Sequence, residues 1–319
     1  MTLHVTAFAA RHLDAAVDLF LAIYARERRR CPVLPPVPFG DETQLWESIA
    51  ALMETGGIAA VENDRLVGYL ARGYQFGFKG QPTVMVPEIG HAAARDADAH
   101  IYPRMLARIG EAWAEQGANL HILGYLAHDA DLELTLYRLG YGQILAERLR
   151  ELSAVGADPE IDVEQPDDLG TLAALDAEHR RYYAGSPIFV NKPAGDRDTI
   201  VRDLTEERER GSAFFVHRRD DEPVAYFVVG PSAQNGEGLL LRATNSAQIR
   251  GAYVRPAYRG RGIGRALLDA CVRWAGDHGF DRMLVEHESA NLPGRAFWSR
   301  YFTPFVRYTM RYVELPTSA

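Results

Sequence analysis

The stretch Val254-Arg-Pro-Ala-Tyr-Arg-Gly-Arg-Gly-Ile-Gly-Arg-Ala-Leu-Leu268 decides how this chain is read. Gln248–Val254 has the composition of a strand, and Pro256 stops it because proline offers no N–H to a ladder. Arg259–Gly264 is then a glycine-rich turn. Gly262–His278 continues as a helix, with Leu267, Leu268, Val272 and Trp274 at helical spacing. A helix start built this way binds anions. Its first N–H groups lack intrahelical acceptors, glycines let a ligand approach the backbone, and arginines add charge-assisted hydrogen bonds to phosphate. Two other phosphate loops do not fit. A P-loop needs Lys and then Ser or Thr after its last glycine, and here Arg265-Ala266 follows. A dinucleotide fingerprint spaces its third glycine one residue further than Gly264 stands from Gly260 and Gly262.

Working outward, the chain has 319 residues, 47% hydrophobic and 24% charged, which is ordinary globular usage. That length predicts two domains of roughly 150 residues. No apolar run approaches the ~20 residues of a membrane helix, and the N-terminus lacks the layout of a signal peptide. Cys31 and Cys271 are the only two cysteines, too few for a disulfide framework or a cysteine zinc cluster. His121 and His128 have no third ligand at metal spacing. The expectation is a cytoplasmic protein with no metal, no membrane and no nucleic-acid partner, acting as a monomer or homodimer. Net charge is −8, split evenly between residues 1–150 and 151–319, so neither half is basic enough for nucleic acid. Basic residues are nearly all arginine, with only Lys79 and Lys192 as exceptions. Locally the balance differs: Gly238–Leu268 holds no carboxylate but six arginines, Arg242, Arg250, Arg255, Arg259, Arg261 and Arg265. Such a stretch in an acidic chain suits a highly anionic small ligand.

Hydrophobic periodicity and turn residues predict strands at Leu3–Phe8, Ile58–Glu62, Arg65–Tyr74, Val84–Val86, Asn119–Leu126 and Ile144–Leu152. Helices are predicted at His12–Arg30, Thr43–Thr55, Ile101–Gln116 and Asp129–Arg138, with Arg26–Arg30 solvating the end of the first. Ala154–Pro159 reads as a linker. The second half repeats the order: strand Ile161–Gln165, helices Asp167–Arg181 and Asp198–Glu209, and the hairpin Ser212–Arg218 with Pro223–Gly230. Strand Gln248–Val254, helix Gly262–His278, strand Arg282–Glu288, helix Leu292–Tyr301 and strand Val306–Val313 complete it. Leu106 and Trp113 stand 161 positions before Leu267 and Trp274, and Tyr137 stands 161 before Trp298. One offset across several elements points to duplication of a ~150-residue unit. The fold class is α+β, with domains at 1–153 and 160–319 joined by a linker at 154–159.

At its glycine-rich turn the chain resembles the GCN5-related N-acetyltransferase (GNAT) superfamily, whose motif is a V-x-P strand end followed by R/Q-x-x-G-x-G/A. Arg259, Gly262 and Gly264 match its fixed positions. The resemblance implies a mixed, largely antiparallel sheet flanked by helices in each domain, and acetyl-CoA as co-substrate. It implies that Tyr253, Val254, Arg259, Gly260, Arg261, Gly262, Ile263, Gly264 and Arg265 bind the co-substrate, with the loop on its pyrophosphate. It also implies that pantetheine lies between two splayed strands, Gln248–Val254 and Arg282–Glu288. Asn291 and Phe297 match a second family stretch, which places Asn291 and Trp298 near pantetheine. Trp298 stands where the family often has a thiolate-protonating tyrosine, a departure at the usual general acid. Tyr182, Tyr183 and Ser186–Phe189 fall where the family places its acceptor loops.

The whole chain resembles tandem GNAT proteins, a group that includes mycothiol synthase. Between Val86 and Leu106 the N-terminal copy is seven residues longer than its counterpart, lacks R-x-x-G-x-G, and holds Glu88, Asp96 and Asp98. Carboxylates would repel a pyrophosphate. That copy reads as a degenerate domain, a scaffold or acceptor-site wall. Direct transfer to an amine needs a base and is helped by an acid. The strand before the loop carries no carboxylate, so the base candidates are Glu286, Glu288 and His287 at the end of the partner strand. The acid candidates are Tyr301 and Tyr253. Alternation sets Glu286 and Glu288 on one face and His287 on the other. The expected activity is N-acetylation of a primary amine on a small molecule or peptide. The alternatives are a non-catalytic acyl-CoA sensor and a mycothiol-synthase-like acetyltransferase.

Overall fold

The computed structural model describes residues 3–94, 101–191, 193, 195–232, 238–242 and 244–315, so Asp96 and Asp98 lie outside the described residues. The chain divides into two compact units, Met1–Ala146 with Pro304–Ala319, and Glu147–Thr303. Among the described residues no helix is long and apolar enough to cross a membrane.

The first unit runs β1 (Leu3–Ala7), α1 (Leu13–Arg30), α2 (Glu42–Glu54), β2 (Gly57–Glu62), β3 (Arg65–Ala71), β4 (Tyr74–Phe78), β5 (Gln81–Val86) and β6 (His91–Ala93). It continues through α3 (Ile101–Glu115), β7 (Leu120–Leu126), α4 (Ala130–Arg138) and the start of β8 (Gly142–Glu151). Its strands form two sheets, β1-β2-β3-β6 and β4-β5-β7-β13, where β13 is Thr303–Tyr312. The predicted strand Arg65–Tyr74 is two strands. Gly73 breaks it at φ +84°, where a Cβ would stand 2.4 Å from the Met85 carbonyl oxygen. The core of this unit packs Ile101, Met105, Ile109 and Trp113 of α3 against Val84, Val86, Leu123 and Tyr125.

The second unit contains α5 (Ala173–Ala184), α6 (Arg197–Glu209), β9 (Ala213–Arg219), β10 (Glu222–Pro231), β11 (Ser246–Val254), α7 (Ile263–Asp277), β12 (Arg282–Glu288) and α8 (Leu292–Tyr301). Its strands lie in the order β9-β10-β11-β12. Alternation along β10 sorts its side chains between two layers. Phe227 and Val229 pack with Leu267, Cys271 and Val272 of α7. Tyr226 and Val228 pack with Leu175 of α5 and Ile200 and Leu204 of α6. The sheet is thus held between α7 on one face and α5 with α6 on the other.

Three sequence expectations change. Ile161–Gln165 is not a strand: only Glu164 bridges, to Val216, and Pro166, which has no N–H, ends the run. The last strand belongs with the first unit, since β13 pairs antiparallel with β7 from Val306↔Leu126 to Tyr312↔Leu120. The division therefore falls inside β8 rather than in 154–159. The repeat offset in the helices is 162 rather than 161: α3, β7 and α4 begin 162 residues before α7, β12 and α8. Burial agrees with that register. Leu136 and Trp298 are both buried, whereas Tyr137, the residue matched to Trp298 by sequence, is 74% exposed.

Candidate active site

The site begins as a failure of strand pairing. β11 and β12 are parallel and register only from Ser246↔Arg282 to Ile249↔Val285. At the next residue β11 bulges: β10 pairs Val229 with Ile249 and Val228 with Gly251, which leaves Arg250 as the extra residue. A bulge bends its strand and strengthens its local twist. From Arg250 onward β11 follows β10 and leaves β12, and a gap opens between Gly251–Val254 and Glu286–Glu288.

The glycine-rich turn closes one end of this gap. Gly260 and Gly262 have φ of +76° and +84°, a region that costs an L-residue roughly 1–2 kcal/mol. Gly262 caps α7, and its carbonyl accepts from Arg265 N at 2.9 Å and Ala266 N at 3.1 Å. The N–H groups of Gly260, Arg261, Gly262, Ile263 and Gly264 have no acceptor among the described residues. A Cβ on Gly260 would meet nothing within 4 Å, so this glycine serves the turn and keeps the approach clear. A Cβ on Gly264 would stand 3.2 Å from Phe297, so Gly264 lets α7 and α8 pack closely. Five free N–H groups beside a helix N-terminus form an anion cradle. Arg265 adds to it: it lines the gap, and its Nε is buried without an acceptor among the described residues.

The arginines do not act as one cluster. Arg255 is fully engaged, with Nε and Nη2 on Glu178 at 3.0 and 2.9 Å and Nη1 on Glu222 at 2.7 Å. Arg250 pairs with Glu207 at 3.1 Å. Arg259 turns back on the loop, donating Nε–H to the Val254 carbonyl at 2.9 Å with its guanidinium 4.9 Å from the Tyr182 ring. Arg261 lies over Tyr258. Carboxylates distant in sequence therefore neutralise part of the apparent +6, and Arg259 stiffens the turn through its side chain.

The gap is a cavity of about 610 Å³. Of the residues expected to bind the co-substrate, Tyr253, Val254, Arg259, Gly260, Gly262, Ile263, Gly264, Arg265, Asn291 and Trp298 line it, and Arg261 does not. Asn291 caps α8, its Oδ1 accepting from Gly294 N at 3.1 Å and from the Tyr182 hydroxyl at 3.0 Å. It also bonds Tyr183, so it ties α5 to α8 across one end of the cavity. Trp298 is buried among Phe227, Phe297 and Phe302. An indole N–H is a donor that does not give up its proton, so this residue is a wall.

Of the base and acid candidates, Glu286 and Tyr301 line the cavity, and Glu288 does not. His287 is buried and accepts from Arg148 Nε on its Nε2 at 2.9 Å, while its Nδ1 donates to the Glu288 carbonyl at 3.1 Å. Burial holds its pKa down at about 4, so it is neutral and fixed. Burial also raises Tyr253 above the ordinary phenol range and pushes Tyr183 up to about 12. Tyr182 and Tyr183 line the cavity as the acceptor-loop position implied, whereas Phe189 is 69% exposed. Sequence reasoning missed His179, which also lines the cavity and stacks on Tyr253 with ring centroids 5.2 Å apart. A lone histidine inside a helix carries no local signal.

Residues 174–302 match the acetyltransferase (GNAT) family. The chain carries a GNAT acetyltransferase domain. Solved structures extend the likeness of fold to the rest of the chain. A GCN5-related N-acetyltransferase from Sphaerobacter thermophilus is 13% identical, with a TM-score of 0.56, over 99% of this chain and 98% of that one. A tandem GNAT protein from the clavulanic acid biosynthesis pathway is 15% identical, with a TM-score of 0.50, over the full length of both chains. No curated protein matches the chain. Over both units this likeness is one of fold.

The two units treat the end of their parallel strand pair differently. In the first, β5 and β7 are also parallel, paired from Thr83↔Leu120 to Val86↔Leu123, where β5 ends. The chain itself fills the space. Buried His91 donates Nε2–H to the Gly124 carbonyl at 2.7 Å and accepts on Nδ1 from the Tyr102 hydroxyl at 3.0 Å. Glu88 is 1% exposed and accepts from the Tyr308 hydroxyl at 3.3 Å. By the 162 offset, Tyr102 stands where the second unit has Gly264, and Asp129 caps α4 as Asn291 caps α8. About 10 Å³ remains.

Proposed function

We propose that the second unit transfers the acetyl group of acetyl-CoA directly to a primary amine on a small molecule or peptide. The observation that supports this most is the juxtaposition of a 610 Å³ cavity between diverging strands with the unpartnered N–H groups of Gly260–Gly264 at its edge. The N–H groups and Arg265 suit a pyrophosphate, and the strand gap suits an extended pantetheine arm whose amides replace the missing ladder bonds. The acceptor enters beside Tyr182, Tyr183 and Glu286, where a carboxylate draws in an ammonium group. The amine attacks the thioester carbonyl, a C–N bond forms, the C–S bond breaks, and CoA leaves with the electron pair on sulfur. Tyr301, at the cavity wall, is the candidate proton donor to that sulfur; Trp298 is not. We place this activity in the cytoplasm, in a monomer or homodimer without a metal.

The sensor reading draws on Trp298 and on the absence of a carboxylate from β11. Free-thiol release from acetyl-CoA across a panel of primary amines decides between the two. Release with any amine supports the enzyme, whereas tight binding without release for every amine supports the sensor. Absence of acetyl-CoA binding contradicts both.

A further inference from the structure

We propose that His179 is the general base of this reaction, held in its reactive tautomer by a relay through Tyr226 to Asp176. This rests on the acetyl-transfer reading above and assigns a residue to its proton-transfer step. The Tyr226 hydroxyl is 2.6 Å from Asp176 Oδ1 and 2.9 Å from His179 Nδ1, and all three residues are buried. A carboxylate accepts only, so the single Tyr226 proton points to Asp176. Tyr226 stays protonated because burial raises its pKa well above the ordinary phenol value. Its oxygen must then accept from His179, which puts the imidazole proton on Nδ1 and the lone pair on Nε2. Asp176 is held in turn by Arg180 Nε at 2.6 Å, and Arg180 Nη2 bonds Asp203 at 2.9 Å.

The ring is at the cavity, between the edge of Tyr183 and the face of Tyr253. With its proton committed to Tyr226, the neutral imidazole presents a ring lone pair, the group most often used to take a proton in catalysis. Charged and titratable groups face His179 from several elements. Asp176, Arg180 and Tyr183 lie on its own helix, Tyr226 on β10 and Tyr253 on β11. Arg259 lies over Tyr253, and Glu286 and Glu288 act on Tyr183 from β12. In the reaction, His179 Nε2 takes one proton from the acceptor ammonium, and the freed amine attacks. The second nitrogen proton is lost as the C–N bond forms and ends on the departing sulfur, and the imidazolium returns its proton to water. Tyr226 and Asp176 stabilise the imidazolium without moving a proton.

The test compares full-length His179→Gln, Tyr226→Phe and Glu286→Gln with the parent protein, using acetyl-CoA with spermidine, tyramine and glucosamine as probe amines. His179→Gln should lower kcat about 10²–10⁴-fold while leaving acetyl-CoA affinity by calorimetry within about twofold. Tyr226→Phe keeps the ring but removes the relay, and should move the acidic limb of the kcat/KM profile. Glu286→Gln should raise KM for the amine more than it lowers kcat. The parent rate and pH profile in His179→Gln would overturn the assignment while leaving acetyl transfer intact. No acetyl-CoA binding by the parent would remove the transfer reading and the assignment together. If no probe amine turns over, ¹⁵N NMR of the His179 ring decides: an Nδ1–H tautomer supports the relay and an Nε2–H tautomer contradicts it.

Discussion

The space beyond the parallel pair differs by a factor of tens between the units, about 610 against 10 Å³: β11 runs on unpaired with β12 after Ile249, whereas β5 ends at its last pair with β7. The gap is a property of the fold, made where a parallel pair ends early. What fills it is a property of the side chains. In the first unit His91 bridges to β7 in place of a ladder bond, and Tyr102 fills the volume that glycine leaves free in the second. In the second unit the N–H groups of Gly260–Gly264 stand at the edge of a cavity with no acceptor among the described residues. A duplicated scaffold thus offers two sites, and a few bulky or polar residues convert one into core.

The largest expected effect is on the open gap. Gly262→Asp forces an L-residue to φ +84° with its Cβ 3.0 Å from Ile161 and brings a negative charge to the anion cradle. Acetyl-CoA should bind about 10²–10³-fold more weakly by calorimetry. The converse change is made in the closed gap. Tyr102→Ala removes the filler and the hydrogen bond to His91, and should lower stability to denaturant by about 3 kcal/mol. It should add no acetyl-CoA site, because the described part of that unit has no counterpart of the Gly260–Gly264 cradle.

How much of this was legible follows from where each signal lies. The turn was readable because its glycines, proline and cap are consecutive, and their conformational demands are local. Element order was readable for the same reason. The partner of the last strand was not, because Val306–Val313 alternates identically whichever unit it joins. The one-residue error in the repeat offset came from matching Trp113 to Trp274, whereas burial matches it to Ala275. Glu286 was placed among the candidates by its strand position, but which of Glu286 and His287 faces the cavity depends on a β11 bulge that alternation does not foresee. His179 lay beyond local pattern altogether: Tyr226 reaches it from 47 residues away, and Asp176, three positions back on its own helix, is linked to it only through that tyrosine.

A smaller effect compares a buried neutral histidine in each unit, His121 and His287, both held at about 4 against an ordinary 6.5. Between these values the unfolded chain binds a proton that the folded chain refuses. Stability is therefore full above about pH 6.5 and falls as pH drops toward 4, by up to about 1.4 kcal/mol per pH unit for each histidine. His287→Gln should remove one proton's worth of that slope in denaturant titrations between pH 6.5 and 4. The smallest effect tests the contact between α5 and α8. Tyr182→Phe removes one hydrogen bond to Asn291 and should cost about 1 kcal/mol, read as a roughly fivefold weaker acetyl-CoA affinity.

The central claim is one active gap in a chain with two. Calorimetric titration of the full-length protein with acetyl-CoA tests it directly. One site per chain is expected, lost in Gly262→Asp and kept in Tyr102→Ala. Two sites per chain, or one that survives Gly262→Asp, would contradict it.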